Sequence, residues 1–325
     1  MAGKPKIGIT MGDPCGIGPE IIAKALSSGE VYSICEPVVI GSVHAMRMGV
    51  ELAGNKLTVR QVDSVQEAGR DPSSIDVLEF GELRPEEITI GQASAAGGRA
   101  QWEWVQQASR LLKSGELNAL AMAPVNSEAL KLSGVARGGM GPSSPHMFNF
   151  NGPLRVVRLT DHTLYRDVPQ EVKKDKILPV LEMIHDCFTR WGFSNPRIAI
   201  SGLNPHAMGE EEDLEIKPAV AAAREKGINA SGPWPPDSVF HQCASGEFDV
   251  VLAMTHDQAN IAQKTRKLEG IVSIADPLDP YIRVSISHGT AYDIAGKGIA
   301  NHESILQAIK TAAAMAAGKG PALGT

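Results

Sequence analysis

The feature that most constrains this chain is a repeated alternation. Short, almost wholly apolar runs lead into polar turns rich in glycine, proline and histidine, and helical patterns follow. KIGIT from Lys6, PVVIG from Pro37, IDVLEF from Ile75, LNALAMAPV from Leu117 and VVRLT from Val156 read as strands, as do PRIAISGLNPH from Pro196, FDVVLAMTHDQ from Phe248 and YIRVSISHG from Tyr281. Helical periodicity runs through PEIIAKAL from Pro19, the long stretch from Ala93 to Gly115, DKILPVLEMIHDCFTRWG from Asp175, IKPAVAAAREKG from Ile216 and the segment near His302. Strands that are apolar on both faces must be covered on both faces. The pattern therefore predicts an α/β protein with a largely parallel sheet. At about 150 residues per domain, 325 residues predict two domains. No internal repeat is visible.

Such sheets bind ligands at the carboxyl ends of their strands, and this is where the polar motifs fall: IT-MGDP, AM-APVN, SG-LNPH, AM-THDQ and SI-SHGT. Three histidines share this placement, His162 after VVRLTD, His206 after ISGLNP and His256 in LAMTHDQ. Taken singly, each more often closes a turn than binds anything. Converging from neighbouring strand ends, three neutral imidazoles can hold a divalent ion and leave a coordination position open. His44, His185, His241 and His302 lack the placement. Asp257 follows His256 directly, and Lys264 lies eight residues beyond that histidine. Arg283 stands among apolar neighbours in YIRVS, where a cation can orient a carboxylate or phosphate. GDPCGIGPE is a glycine-rich strand-to-helix turn, but its spacing is not GxGxxG and no GxxxxGK[ST] occurs. Tight turning at Gly16 and Gly18 explains it as well as cofactor contact does. SHGTAYDIAGKGIANHES from Ser287 offers backbone amides and an aspartate of the kind a nucleotide uses.

Composition sets limits on partners. Lysine and arginine total 31 against 37 acidic residues, a net charge of −6, so there is no broad attraction for nucleic acid or anionic membrane. An anionic substrate needs a local basic cluster instead. The four cysteines form no CxxC pair, the N-terminus lacks a signal-peptide core, and no apolar run approaches the roughly 20 residues of a bilayer span. The expectation is a soluble, cytoplasmic protein with reduced thiols.

Taken in order, MGDPCGIGPE, APVNSEAL, GLNPHA, GPWPPDSVF, MTHDQ and SHGTA resemble the 4-hydroxythreonine-4-phosphate dehydrogenase family of pyridoxal-phosphate biosynthesis, over almost the whole chain. SHGTAYDIAGKGIAN also resembles the adenosine-binding loop of isocitrate and isopropylmalate dehydrogenases. The resemblance implies two α/β/α domains with a cleft between them: 1–123 plus 286–325 carrying the cofactor loop, and 124–285 carrying metal, substrate and dimer contacts. It implies NAD-dependent, divalent-metal-dependent oxidation of a secondary alcohol followed by decarboxylation, in a homodimer whose sites combine residues of both subunits. Zinc is the first expectation for the metal, and manganese, cobalt and nickel also suit histidine ligands. The residue types do not separate NAD from NADP.

Carried over position by position, the metal ligands fall on His162, His206 and His256. Substrate contacts fall on His146, Met147, Lys264, Ser273 and Arg283, and cofactor contacts on His288, Gly289, Thr290, Ala291 and Asp293. Asp237, Asp257 and Lys264 are the catalytic candidates. Several positions depart from the family pattern. The phosphate-gripping GHTE appears as SPHMF, which puts Met147 and Phe148 in place of threonine and glutamate. PVNK appears with Ser127, the asparagine near Ser273 is missing, ADPLDP lengthens that loop, and the loop after GLNPHA is shortened to MGEEED. Thioether and phenyl weaken a phosphate pocket and add apolar surface. Three readings follow. The first is the family reaction on 4-(phosphooxy)-threonine or another phosphorylated hydroxy acid, such as a threonate or erythronate phosphate. The second is oxidation of a non-phosphorylated cis-dihydrodiol carboxylate, of the terephthalate-pathway type, with Met147 and Phe148 as apolar walls. The third is a non-catalytic ligand-binding paralogue.

Overall fold

The computed structural model describes residues 3–135, 146–274 and 279–321. The chain divides into two compact units, Met1–Pro142 with Tyr281–Ala317, and Ser143–Pro280 with Gly318–Thr325. Residues 124–135 and 281–285, expected in the second domain, thus fall in the first unit, and 318–321, expected in the first, fall in the second. The first four residues of ADPLDP, 275–278, lie outside the described residues, as do Ser144 and Pro145 of SPHMF and the tail 322–325.

The first unit is built from β1 (Lys6–Thr10), α1 (Gly18–Ser27), α2 (Glu30–Ile34), β2 (Glu36–Gly41), α3 (Val43–Leu52), β3 (Thr58–Val62), β4 (Ser74–Glu79), α4 (Ala95–Lys113), β5 (Ala119–Met122) and α5 (Ser127–Ser133). The returning segment adds a last strand, β12 (Ile282–Ile286), and a last helix, α11 (Glu303–Ala316). The strand order is β3-β4-β2-β1-β5-β12, with parallel pairings throughout. Ile7, Ile9, Val39, Ile40, Ala119 and Leu120 are fully buried, as strands covered on both faces must be. The chain leaves β1 toward β2 and later returns to β5 on the other side of β1. The carboxyl ends of β1 and β5 are therefore the switch point, where such a sheet opens a crevice.

The second unit carries β6 (Phe148–Asn151), β7 (Leu154–Arg158), α6 (Val168–Glu171), α7 (Lys174–Arg190), β8 (Ile198–Ser201), α8 (Lys217–Glu225), β9 (Ala230–Trp234), α9 (Val239–Ala244), β10 (Val250–Ala253), α10 (His256–Arg266) and β11 (Val272–Ile274). Its order is β11-β6-β7-β10-β8-β9. Here the largely parallel expectation needs correction. β7, β10, β8 and β9 pair in parallel, but β6 is antiparallel to both β7 and β11. The cause is local. Asn151 opposes Leu154 across a two-residue Gly152-Pro153 turn, with Gly152 at φ 58° in the first central position, where glycine suits a tight hairpin. A second difference is α10, whose first residues had been read as the tail of a strand. Thr255 Oγ1 accepts the amide of Gln258, while the Gln258 side chain caps back, and this capping box starts a helix at His256.

Phe148 is fully buried and packs its ring against Phe150, Phe188 and Trp191, with centroids 6.3, 6.0 and 5.3 Å away. It is a core residue, which overturns its reading as a wall for a carbocyclic substrate. Strand alternation sends Met147 the other way. Among the described residues no helix is long and apolar enough to cross a membrane. Phe148→Ala is expected to cost about 3–5 kcal/mol of unfolding free energy, read from guanidinium denaturation, with a much smaller loss for Met147→Ala.

Candidate active site

In the second unit the hydrogen-bond ladder runs on past the ends of β7 and β10. Leu159 N donates to Ala253 O at 2.8 Å, and Thr160 donates to Met254 O through both N (3.3 Å) and Oγ1 (2.8 Å). This extension sets Asp161 and His162 beside His256 in the first turn of α10. Ligand atoms of Asp161, His162 and His256 all lie within 4.8 Å of one another, and the two imidazole centroids are 5.3 Å apart. His256 Nδ1 lies 2.8 Å from Asp161 Oδ1, and His162 Nδ1 lies 3.5 Å from Asp161 Oδ2. A proton on Nδ1 of His256 leaves the Nε2 lone pair free for a cation, the arrangement by which a carboxylate sets the tautomer of a metal-binding histidine. Burial works against the Asp161 carboxylate. The hydrogen bond with His256 and the charge of Arg158, 3.4 Å away, outweigh it and hold the group below the usual carboxylate range. Two imidazoles and a carboxylate, with His162 open to solvent, suit zinc, manganese, cobalt or nickel.

Asp161 was not among the sequence-derived ligands, although the signal was present as an acid next to the histidine in TDH. His206, which was among them, lies outside this cluster. It is exposed on a turn with φ 57°, and Ala207 follows at φ 55°. Buried Glu212 holds the start of that turn, accepting the amides of Leu203 and Asn204 at 2.7 Å each and the Asn204 side chain at 2.8 Å. The shortened MGEEED loop therefore supplies the brace. Gln258 Nε2 also donates to Gly202 O at 3.0 Å, which joins the end of β8 to the start of α10.

The substrate candidates separate. Lys264 and His256 line one cavity of about 410 Å³ together with Asp257 and Asn260, all on one face of α10. Asp257 and Asp237 both line a larger cavity of about 890 Å³, with Tyr165, His241 and Arg266 at its rim. Tyr165 OH donates to Asp257 Oδ2 at 2.5 Å, and that bond raises the phenol above its ordinary range. His146 is half-buried, its Nδ1 is 3.1 Å from Arg158 O, and burial lowers its pKa. Met147 Sδ meets Arg158 Nη2 at 3.8 Å. Ser273 is buried and its hydroxyl donates to Asn149 Oδ1 at 2.7 Å, directly across the β11–β6 pairing. That geometry fits a strand-to-strand bond better than contact with a ligand.

Arg283 belongs to the first unit, on β12, with its guanidinium 5.7 Å from the centre of the Tyr281 ring. The HGTA stretch lies in the same unit. His288, Gly289 and Asp293 are exposed, whereas Thr290 is buried. Thr290 O accepts the Ile17 amide at 3.1 Å and its Oγ1 accepts Asn126 Nδ2 at 3.2 Å. It anchors the loop, while its neighbours His288, Gly289 and Asp293 face solvent. A Cβ on Gly16 would lie 2.8 Å from Thr290 Cβ, so that glycine is required by the close approach of this loop.

The profile of the family described as "Pyridoxal phosphate biosynthetic protein PdxA" matches residues 33–312. A protein of Novosphingobium aromaticivorans named putative 4-hydroxythreonine-4-phosphate dehydrogenase is 39% identical over 320 residues, covering 98% of this chain and 96% of its own. A D-threonate 4-phosphate dehydrogenase of Cupriavidus necator is 38% identical over 327 residues, covering 96% and 97%. The crystal structure of a 4-hydroxythreonine-4-phosphate dehydrogenase from Klebsiella pneumoniae superposes with a TM-score of 0.83 at 35% identity, covering 96% of this chain and 99% of that one.

Asp161→Asn is expected to lower divalent-metal affinity about 10- to 100-fold, measured by competition with a chromogenic chelator. Unchanged affinity would remove Asp161 from the site.

Proposed function

The chain belongs to the PdxA family and is a dehydrogenase acting on CH–OH groups, and from that premise we propose that it oxidises the secondary alcohol of a phosphorylated threonine derivative and that the resulting β-keto acid loses CO2. The substrate class is 4-(phosphooxy)-threonine or threonate 4-phosphate, matching the two names carried by its relatives. The observation that carries this reading is the shared cavity of His256, Asp257 and Lys264 beside the Asp161–His162 pair. It puts a cation for a substrate anion, a carboxylate and a metal-binding imidazole within two turns of one helix.

NAD supplies the hydride acceptor and a divalent ion supplies Lewis-acid polarisation of the substrate oxygen. His162 and His256 hold the ion, with Asp161 either as third donor or as the group orienting both rings. His206 is the further donor expected from the family. Lys264 grips the phosphate or carboxylate by charge. Asp257, next to His256, takes the hydroxyl proton, while Tyr165 holds its carboxylate in place. Asp237 lines the neighbouring cavity as a polar contact. His288, Gly289 and Asp293 present the cofactor surface, and Arg283 adds a second cation for the substrate.

The face around α10 supports a homodimer. Tyr165 and Ile261 are 70% and 64% exposed and line the larger cavity, and Leu164 and Leu268 are 57% and 64% exposed. A second copy covering this face explains such apolar exposure near a polar site. All four cysteines are free and buried, which suits the reducing cytoplasm. With Phe148 in the core, the argument for a dihydrodiol substrate loses its main support.

Metal-loaded enzyme is expected to form NADH with 4-(phosphooxy)-threonine or threonate 4-phosphate, and chelator should abolish the signal. Turnover confined to a cis-dihydrodiol dicarboxylate would overturn the reading. Lys264→Ala and Arg283→Ala should each raise the substrate KM about tenfold or more, the loss of one charge-assisted hydrogen bond. Affinity for NAD should change little.

A further inference from the structure

Three segments of the first unit meet at the carboxyl ends of β1, β5 and β12, and between them they hold one loop in a shape it would not keep alone. Ala291 sits at φ 44°, in the left-handed region that an alanine Cβ disfavours. Both neighbours of Ala291 are tied down. On one side Thr290 accepts bonds from Ile17 and Asn126. On the other side Tyr292 OH donates to Asp13 Oδ2. Asp13 is fully buried at the end of β1, and its other oxygen accepts the Cys15 amide at 2.9 Å. Burial, together with the hydrogen bond to Asp13, pushes the Tyr292 phenol far above its ordinary range, so it remains a donor at any physiological pH.

We propose that the Tyr292–Asp13 hydrogen bond is a latch that presets the HGTA loop for a dinucleotide, with both residues acting as positioning groups. The inference rests on the cofactor reading above and goes beyond it. Asp13 is fully buried and Tyr292 half-buried, behind the exposed His288, Gly289 and Asp293. The effect of the pair is to fix the backbone on the far side of Ala291, so the loop is ordered before the ligand arrives. Preorganisation of this kind appears as ligand affinity because the ordering cost is met in advance. With the latch open, the Thr290 anchor remains, and beyond Ala291 only the turn bonds that the Ile294 and Ala295 amides donate to Ala291 O oppose a return from the left-handed conformation.

The test compares wild type with Tyr292→Phe, which removes one oxygen and keeps the ring. NADH binding is measured by fluorescence without substrate, and amide hydrogen exchange of the loop is followed without any ligand. Tyr292→Phe is expected to weaken NADH binding about tenfold and to speed exchange at residues 289–293. In turnover the loss should appear in KM for the dinucleotide and not in kcat. Asp13→Asn keeps an acceptor for the Cys15 amide and should weaken binding less. Combined with Tyr292→Phe it should add nothing, because the partner is already gone. NADH affinity within about twofold of wild type, with loop protection unchanged, would overturn the latch and leave the cofactor reading standing. Wild-type protein that binds neither NADH nor NADPH would overturn both.

Discussion

Strands buried on both faces carry few polar side chains except where their ladders end, and most of this molecule follows from that constraint. β5 in one unit, and β10 and β8 in the other, are apolar along almost their whole length, whereas β7 buries Arg155 and Arg158 and β12 carries Arg283 and Ser285. Their chemistry is therefore displaced to the first few residues beyond each carboxyl end. Parallel pairing brings those ends to one edge, so residues far apart in sequence meet just beyond strands that pair side by side. Asp161, Asn204 and His256 stand at such an edge in the second unit, and Asp13, Asn126 and Thr290 at another in the first.

Within the second unit the site depends on where each strand stops. β10 ends at Ala253 and the Thr255–Gln258 capping box turns the chain immediately into α10. That turn puts His256, Asn260 and Lys264 on one face at successive helical turns, so the imidazole beside Asp161 and a lysine ammonium share one rigid element. The extension of the β7–β10 ladder through Thr160 then sets the carboxylate of Asp161 against both imidazoles. Buried Arg158 supports this carboxylate from behind, its side chain 7% exposed. The Asp161 carboxylate thereby stays ionised despite partial burial, as a group that orients histidines must.

Altered family motifs have different physical meanings here. Phe148 replaces a polar residue because its strand position faces an aromatic core, whereas Met147 faces Arg158. Ser273 and Asn149 satisfy each other across paired strands, so a polar pair is buried at little cost. MGEEED is short, yet Glu212 within it braces the turn that carries His206. Phe148 and Ser273 thus serve the packing of the sheet, while Lys264, Asp257 and the His162–His256 pair stay together around the start of α10.

The amino-acid order alone determined the α/β class, the positions of most strands and the carboxyl-end location of the chemistry, because apolar periodicity and turn residues are local signals. It also carried the family resemblance through motifs such as MTHDQ and SHGTA. The hairpin turn at Gly152–Pro153 and the capping box at Thr255 were written locally as well, in short signatures that the apolar runs on either side obscured. Tertiary structure alone decided which side chains meet. Asp161 joins His162 and His256 because a ladder outlasts its strands, and Phe148 faces the core because of the register of β6. Tyr292 finds Asp13 across 279 positions of sequence. Such pairings depend on register, on which face a residue occupies and on the return of a distant segment, none of which leaves a periodic trace in the chain.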